Sequence, residues 1–277
     1  MTQSLSMEHL SDARNGARPV GLQRGTIGLK IAETSAEQEA CQALRYKVFY
    51  EDGGASANAQ ALANKLDADG YDDICDHLLV TDGDHAVGTY RLLRQNRLGP
   101  GQAFYSQSEF DLAPLLAAKP DLRFLELGRS CVLAEYRTKR IIELLWQGIW
   151  DYVRVHQLDV MIGCASLGGT DISQLVHQLS YLHHHHLAPE NWRVQAHTEH
   201  RVAMNKVAAG ELDAKRALKA IPPLVKGYLR LGGYVGEGAV IDHQFNTTDV
   251  LIILPVSAIN PRYFARFGAP DEVTEPR

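Results

Sequence analysis

The apolar residues of this chain fall into short runs and helical stripes that alternate along its length. Between Arg140 and His156, Ile141, Leu144, Leu145, Gly148, Ile149, Tyr152 and Val153 recur at three- and four-residue spacing, with Glu143, Gln147, Asp151 and Arg154 opposite. That spacing predicts an amphipathic helix with one face on a core. An earlier helix is expected from about Ala36 to Tyr50, because Ser35 and Gln38 have capping-box spacing and Ala40, Leu44 and Val48 follow at helical intervals before Gly53-Gly54. The runs from His77 to Thr81 and from Ala86 to Leu93 flank Asp82-Gly83-Asp84, which predicts a hairpin. Phe124 to Leu133 and Val160 to Ala165 read as further strands, and after Gly168-Gly169 a helix carries Ile172, Leu175, Val176, Leu179 and Leu182. A charged helical piece is expected near Glu211 to Lys219. Tyr228 to Leu231, Ala239 to Ile241 and Val250 to Leu254 read as late strands broken by Gly-rich turns. The order predicts an α/β (α+β) fold with a mixed, mostly antiparallel central sheet flanked by helices.

Residues 1–25 are polar and lack periodicity, which predicts a disordered tail, with a single domain over 26–277. The connector from Ala55 to Asp76 is long and acidic, as disordered or functional loops are. Within the strand from Phe124, Glu126 and Arg129 lie three apart and face opposite ways unless Gly128 marks a bulge.

Composition narrows the function. With 277 residues, 45% of them hydrophobic, the chain can bury one large core, and its net charge of -5 argues against nucleic acid as a partner. Cys41, Cys75, Cys131 and Cys164 are widely spaced, the pattern of reduced thiols in a cytoplasmic protein, with no expected metal site. The His183 to His186 run does not change that expectation, because consecutive helical residues point ~100° apart and cannot all ligate one ion. Glu8, Asp12, Arg14 and Arg18 interrupt any signal-like run, and Val250 to Leu254 falls far short of the ~20 residues of a spanning helix, so membrane contact is peripheral at most.

Three motifs add a resemblance. Leu44-Arg-Tyr-Lys-Val-Phe49, Gly88-Thr-Tyr-Arg-Leu-Leu93 and Glu126-Leu-Gly-Arg-Ser-Cys-Val132 resemble the R-x-x-x-F, R-L-L and E-x-x-R-x-x-V pattern of acyl-homoserine-lactone synthases and their hemolysin-like GNAT relatives. The segments from Pro222 to Gly232 and from Asp242 to Leu254, with Tyr181 to Pro189, are similar instead to the ornithine N-acyltransferases of ornithine-lipid synthesis. That family implies a GNAT fold, a 3-hydroxyacyl donor on acyl carrier protein, L-ornithine as acceptor and a lyso-ornithine lipid as product. It implies no permanently bound cofactor, the phosphopantetheine thioester being a co-substrate. The alternatives are an acyl-homoserine-lactone synthase and a non-catalytic acyl-chain or membrane-active protein.

The resemblance also implies roles. Aminolysis of a thioester needs a neutral amine, a stabilised oxyanion and a departing thiolate. Glu126 is the candidate base, against the alternative that it only pairs with Arg129. Arg129, Arg45 and Arg91 are candidates for carboxylate or phosphate contacts, each with an ordinary ion pair as the alternative, and Phe49 completes the substrate side. Asp72 and Asp73, in the acidic connector, are candidates for the side-chain ammonium of ornithine, unless the run is only solvated. Backbone N–H groups near Cys131 and Val132 are candidate oxyanion donors, the Cys131 thiol reading as a small core residue. The loop from Glu135 to Arg140 lacks the glycines of the usual GNAT phosphate loop, so Arg137, Lys139 and Arg140 at a helix N-terminus are expected to hold the single phosphodiester of a carrier protein. Together these place Glu126 and the Arg140 helix end on either side of one slot.

Overall fold

The computed structural model describes residues 21–260 and Tyr263. The strands are β1 (Gly21–Arg24), β2 (Ile27–Ile31), β3 (Asp76–Asp82), β4 (His85–Arg94), β5 (Phe124–Val132), β6 (Val160–Gly168), β7 (Arg201–Val202), β8 (Tyr234–Val235), β9 (Ala239–Asp242) and β10 (Thr247–Pro255). The helices are α1 (Ser35–Tyr46), α2 (Ala59–Asn64), α3 (Ala113–Ala118), α4 (Lys139–Val155), α5 (Ile172–His186), α6 (Ala214–Ala220) and α7 (Pro223–Arg230). One sheet runs in the order β1-β2-β3-β4-β5-β6-β10-β9-β7, with β8 also on β10. Its named strands pair antiparallel except β5 with β6.

The two faces of the sheet differ in what covers them. Leu78, Leu92, Leu125, Leu127, Met161, Ala165 and Ile252 form the core with α4, which contributes Ile141, Leu144, Leu145, Ile149, Tyr152 and Val153 as its periodicity predicts. Burying each such side chain contributes about 1.5–3 kcal/mol. Gly148 lets α4 approach closely, since a Cβ there would stand 2.9 Å from Leu29 and Leu78 side-chain atoms. The opposite face carries Leu93, Phe124, Ile162, Leu251 and Ile253 against the Phe104 to Leu115 segment, while Leu44 and Val48 bring α1 and its continuation onto Cys131.

Several expectations need correction. An ordered strand, β1, occupies Gly21–Arg24 within the expected tail; residues 1–20 and most of the C-terminal stretch after 260 lie outside the described residues. The cap of α1 is Thr34, one residue before Ser35: its side chain accepts from Glu37 N–H while Glu37 accepts from the Thr34 N–H, a capping box shifted by one. The helix ends at Tyr46 and continues as a π-helical turn over Lys47–Glu51. Tyr228 to Leu231 is not a strand. Pro222-Pro223 opens α7, whose Val225, Tyr228 and Leu229 are buried at helical spacing.

Candidate active site

β5 and β6 pair only from Phe124↔Val160 to Glu126↔Ile162, yet both strands continue, to Val132 and Gly168. Beyond Glu126 they splay. β6 keeps β10 as a neighbour along its whole length and β5 keeps β4, so the opening interrupts the middle of the sheet. Gly163 sits where the gap begins, and a Cβ there would stand 2.3 Å from the Leu127 carbonyl oxygen. The opening leads into a cavity of about 330 Å³ bounded by Val48, Phe49, Glu126, Arg129, Cys164 and Asp249, among others, with Leu224 of α7 also lining it.

Arg129 joins Glu126 on this wall because of a bulge. The β4–β5 register shifts so that Thr89 opposes Cys131 while Arg91 opposes Gly128, and Arg129 takes the left-handed φ of 50°. The extra residue turns Arg129 to the Glu126 side. The two do not pair. Glu126, 5% exposed, accepts from the Ser106 hydroxyl at 2.5 Å, the Ser106 N–H at 2.8 Å and the Tyr105 N–H at 2.8 Å, which ties the 105–108 turn to β5. Burial raises its pKa, and the donors of Ser106 and Tyr105 oppose that rise.

The cationic candidates divide. Arg45, 1% exposed, spends its guanidinium on Asp72 at 2.7 Å and Asp67 at 2.8 Å and lies outside the cavity lining. Burial alone would raise the Asp72 pKa, but the Arg45 hydrogen bond and charge outweigh it and hold the carboxyl low. Asp72 is therefore committed to Arg45, and Asp73 is exposed and lines neither this cavity nor the neighbouring one. The acidic connector thus balances the three arginines Arg45, Arg91 and Arg129 rather than offering a free carboxylate. Arg91 lines the cavity and pairs with Asp69 at 2.6 Å; Arg129 pairs with Asp67 at 3.2 Å and Asp69 at 3.3 Å and packs on the Tyr105 and Phe245 rings. Arg129 and Tyr105 also line a second cavity of about 640 Å³ with Asp67, Asp69 and Tyr71.

The sequence reading missed three acids. Asp242 and Asp249 line the first cavity, and Glu109 reaches it through Cys164, whose thiol donates to its carboxylate at 3.5 Å. Burial and the neighbouring Asp249 charge push the Glu109 pKa up to about 7; burial pushes Asp249 up to about 6. Asp249 was within reach, because it is a carboxylate directly before the apolar run Val250 to Leu254, after Thr247 and Thr248 at the start of the same strand. Glu109 was not, since it stands in a loop and meets β6 only in the tertiary fold. Among the described residues, Glu109, Cys164 and Asp249 also form the group whose ligand-type atoms converge, all within 4.8 Å of one another. Burial holds that thiol protonated, which suits hydrogen bonding better than metal ligation. The His183 to His186 run does not converge: His184 bonds the Val207 carbonyl, and His185 and His186 pack on Tyr181.

At the wide end of the splay, Leu133 N–H donates to the Val87 carbonyl, so by ladder alternation the Val132 N–H turns away from β4 and towards the gap. The Cys131 N–H turns towards β4, and its side chain is buried against Leu44 and Val48. Thr138 caps α4. Arg137, Lys139 and Arg140 are exposed there but diverge: Arg137 bonds the Val132 carbonyl, Lys139 approaches Glu143, and Arg140 reaches the Arg24 carbonyl on the β1 side, outside the splay cavity. The expected single slot between Glu126 and Arg140 is replaced by a cavity that runs from Glu126 to Asp249.

The acetyltransferase (GNAT) domain family matches residues 44–147, the span that holds the end of α1, the hairpin, β5 and the first half of α4. The L-ornithine N(alpha)-acyltransferase of Agrobacterium fabrum is 49% identical over 255 residues, 90% of this chain and 87% of that protein. Its counterpart in Brucella abortus is 45% identical over 264 residues, 93% and 94% of the two chains. A solved N-acyl amino acid synthase from uncultured soil microbes aligns with a TM-score of 0.48 at 13% identity, covering 86% of this chain and 97% of that one. The fold is of the GNAT type. At such identity over nearly its full length, this chain belongs to the L-ornithine N(alpha)-acyltransferase family.

Proposed function

We propose that this protein transfers a 3-hydroxyacyl group from acyl carrier protein to the α-amine of L-ornithine, releasing lyso-ornithine lipid, by direct aminolysis of the phosphopantetheine thioester. The observation that carries this reading is a carboxylate-lined opening between β5 and β6 in a chain close to half identical to proteins of that name. The thioester lies along β5, where the Val132 N–H faces the gap and meets the oxyanion. Glu126, directly or through a water, accepts a proton from the α-ammonium; the amine attacks, the C–N bond forms, the C–S bond breaks, and the second amine proton leaves with the thiol. Arg129 is offered to the α-carboxylate. No covalent enzyme intermediate is needed. Arg137 and Lys139, with the first-turn amides of α4, receive the phosphodiester. Among the described residues no helix is long and apolar enough to cross a membrane, so contact with the lipid product's bilayer is peripheral in this reading.

The test is incubation of the purified protein with 3-hydroxyacyl carrier protein and L-ornithine, followed by mass analysis for the N-acylated amino acid. S-adenosylmethionine as a parallel acceptor separates this from homoserine-lactone synthesis. Glu126→Gln is expected to lower kcat at least ~100-fold. Its new NH2 meets an N–H or O–H donor of the 105–108 turn, so a thermal midpoint is measured alongside, with Ser106→Ala as a variant that keeps the carboxylate. Wild-type turnover in folded Glu126→Gln removes the base role, and no acylated ornithine from the wild type removes the function.

A further inference from the structure

Asp249 is 6% exposed and borders the cavity, yet it has no cationic partner. No ion pair among the described residues includes Asp249, Glu109 or Asp242. The contrast with the other half of the site is sharp, because Asp67, Asp69 and Asp72 each hold an arginine. What Asp249 does have are hydroxyls, from Thr247 at 2.9 Å and from its cross-strand neighbour Ser166, and Asp242 uses an oxygen to cap the Gln244 and Phe245 N–H groups. Hydroxyls and amides solvate a carboxylate but do not neutralise it. A buried acid without a counter-charge is costly, and the usual remedies are a proton or an imported cation.

We infer that Asp249, together with Glu109, receives the side-chain ammonium of a diamino acid and so selects it over amino acids of the same length with an apolar side chain. The inference rests on the acyl-transfer reading above and assigns the substrate's second amine, which takes no part in the chemistry. An acceptor with one carboxylate and two amines needs a cationic end and an anionic end in its site. Arg129 stands at the β5 wall and Asp249 at the β10 wall of one cavity, with Cys164 of β6 between the strands. The charges facing Asp249 are Glu109 from the loop, Asp242 from β9 and Arg129 from β5; Glu109 also faces Cys164. The Arg129 charge partly offsets both acids from across the cavity, but it forms an ion pair with neither, its carboxylate contacts being with Asp67 and Asp69. The unreacted ammonium enters as the missing cation, and the α-amine is left towards Glu126.

The experiment compares L-ornithine with L-norvaline, which has the same chain without the side-chain amine, in wild type, Asp249→Asn and Glu109→Gln. Wild type is expected to prefer ornithine, and Asp249→Asn to lower the ratio of kcat/KM for ornithine over norvaline at least tenfold, mainly through KM for ornithine. Removing an uncompensated buried charge leaves the thermal midpoint of Asp249→Asn equal to or above wild type, and the upward shift that ornithine gives wild type disappears. A lower midpoint with the preference retained assigns Asp249 a structural role and overturns the inference. A stoichiometric metal ion in the purified wild type, lost in Asp249→Asn, overturns it as well. Equal turnover of the two acceptors by wild type overturns it while leaving acyl transfer intact, whereas turnover of neither strikes the acyl-transfer reading itself.

Discussion

At the scale of single residues the site has two acid populations with opposite behaviour. Asp72 has its pKa held low by Arg45, so the stabilisation it gives is present above the ordinary carboxylate range and is lost as pH falls through its folded value. Glu109 and Asp249, pushed up to about 7 and about 6, act the other way: the folded protein favours them protonated, and apo stability declines as pH rises from the ordinary carboxylate range up to those values. A bound ammonium offsets that loss, so the midpoint shift given by ornithine is expected to be larger at pH 8 than at pH 5.5. Selectivity follows the same sign. As pH falls from 8 to 5.5 both acids take up protons, and the kcat/KM ratio of ornithine to norvaline should fall at least severalfold, while ionisation of the α-amine affects both acceptors alike. A ratio constant over that range contradicts the charge-based selection. Breaking the other population has a structural readout: Asp72→Asn removes one of the two carboxylates that hold buried Arg45, leaving Asp67, and should cost about 1.5–3 kcal/mol in urea unfolding. What the sequence made legible at this scale were Glu126, Arg129, Arg91 and Phe49, all on the cavity wall. Arg45, from the first motif, and Asp72, from the acidic connector, were candidates too but are spent on each other, a pairing across 27 residues that no local pattern encodes.

At the scale of elements, the periodic segments were readable because one face had to be buried. α4 starts at Lys139 and ends at Val155, close to the stripe, and the hairpin of β3 and β4 turns at Gly83 and Asp84 as its turn residues require. Tyr228 to Leu231 misled because four residues hold too little of either period, and the Pro pair before them was the better signal. The splay was invisible, since it depends on where two strands stop pairing. Gly163 marks that place. Gly163→Ala should force the Leu127 backbone away from β6, costing about 1–3 kcal/mol and lowering kcat/KM together with stability. An alanine variant with wild-type stability and turnover means the gap tolerates a Cβ and is not set by this contact.

Across the whole molecule the polar residues around the splay share one face of the sheet, the start of α4 stands outside the cavity they line, and the proposed reaction draws on both. Glu126, Arg129, Cys164 and Asp249 line the cavity proposed for the acceptor, whereas Arg137, Lys139 and Arg140 stand in solvent where a protein partner has access. Arg137 is the nearest of the three to the gap, through its bond to the Val132 carbonyl, and Arg140 is turned to β1. Docking of an acidic carrier protein on this end should therefore be graded by position. Reversing all three charges is expected to raise the KM for the acyl carrier well over tenfold, since about 1 kcal/mol per contact accumulates, with Arg137→Glu giving the largest single share and Arg140→Glu the smallest. Added salt should weaken wild type more than the triple variant, because screened attraction is what the variant has already lost. Turnover with acyl-pantetheine, which lacks the protein, separates docking from chemistry: the ratio of carrier-protein to acyl-pantetheine kcat/KM must fall in the triple variant. A ratio equal to wild type moves the docking surface away from the start of α4 and leaves only the helix amides for the phosphodiester.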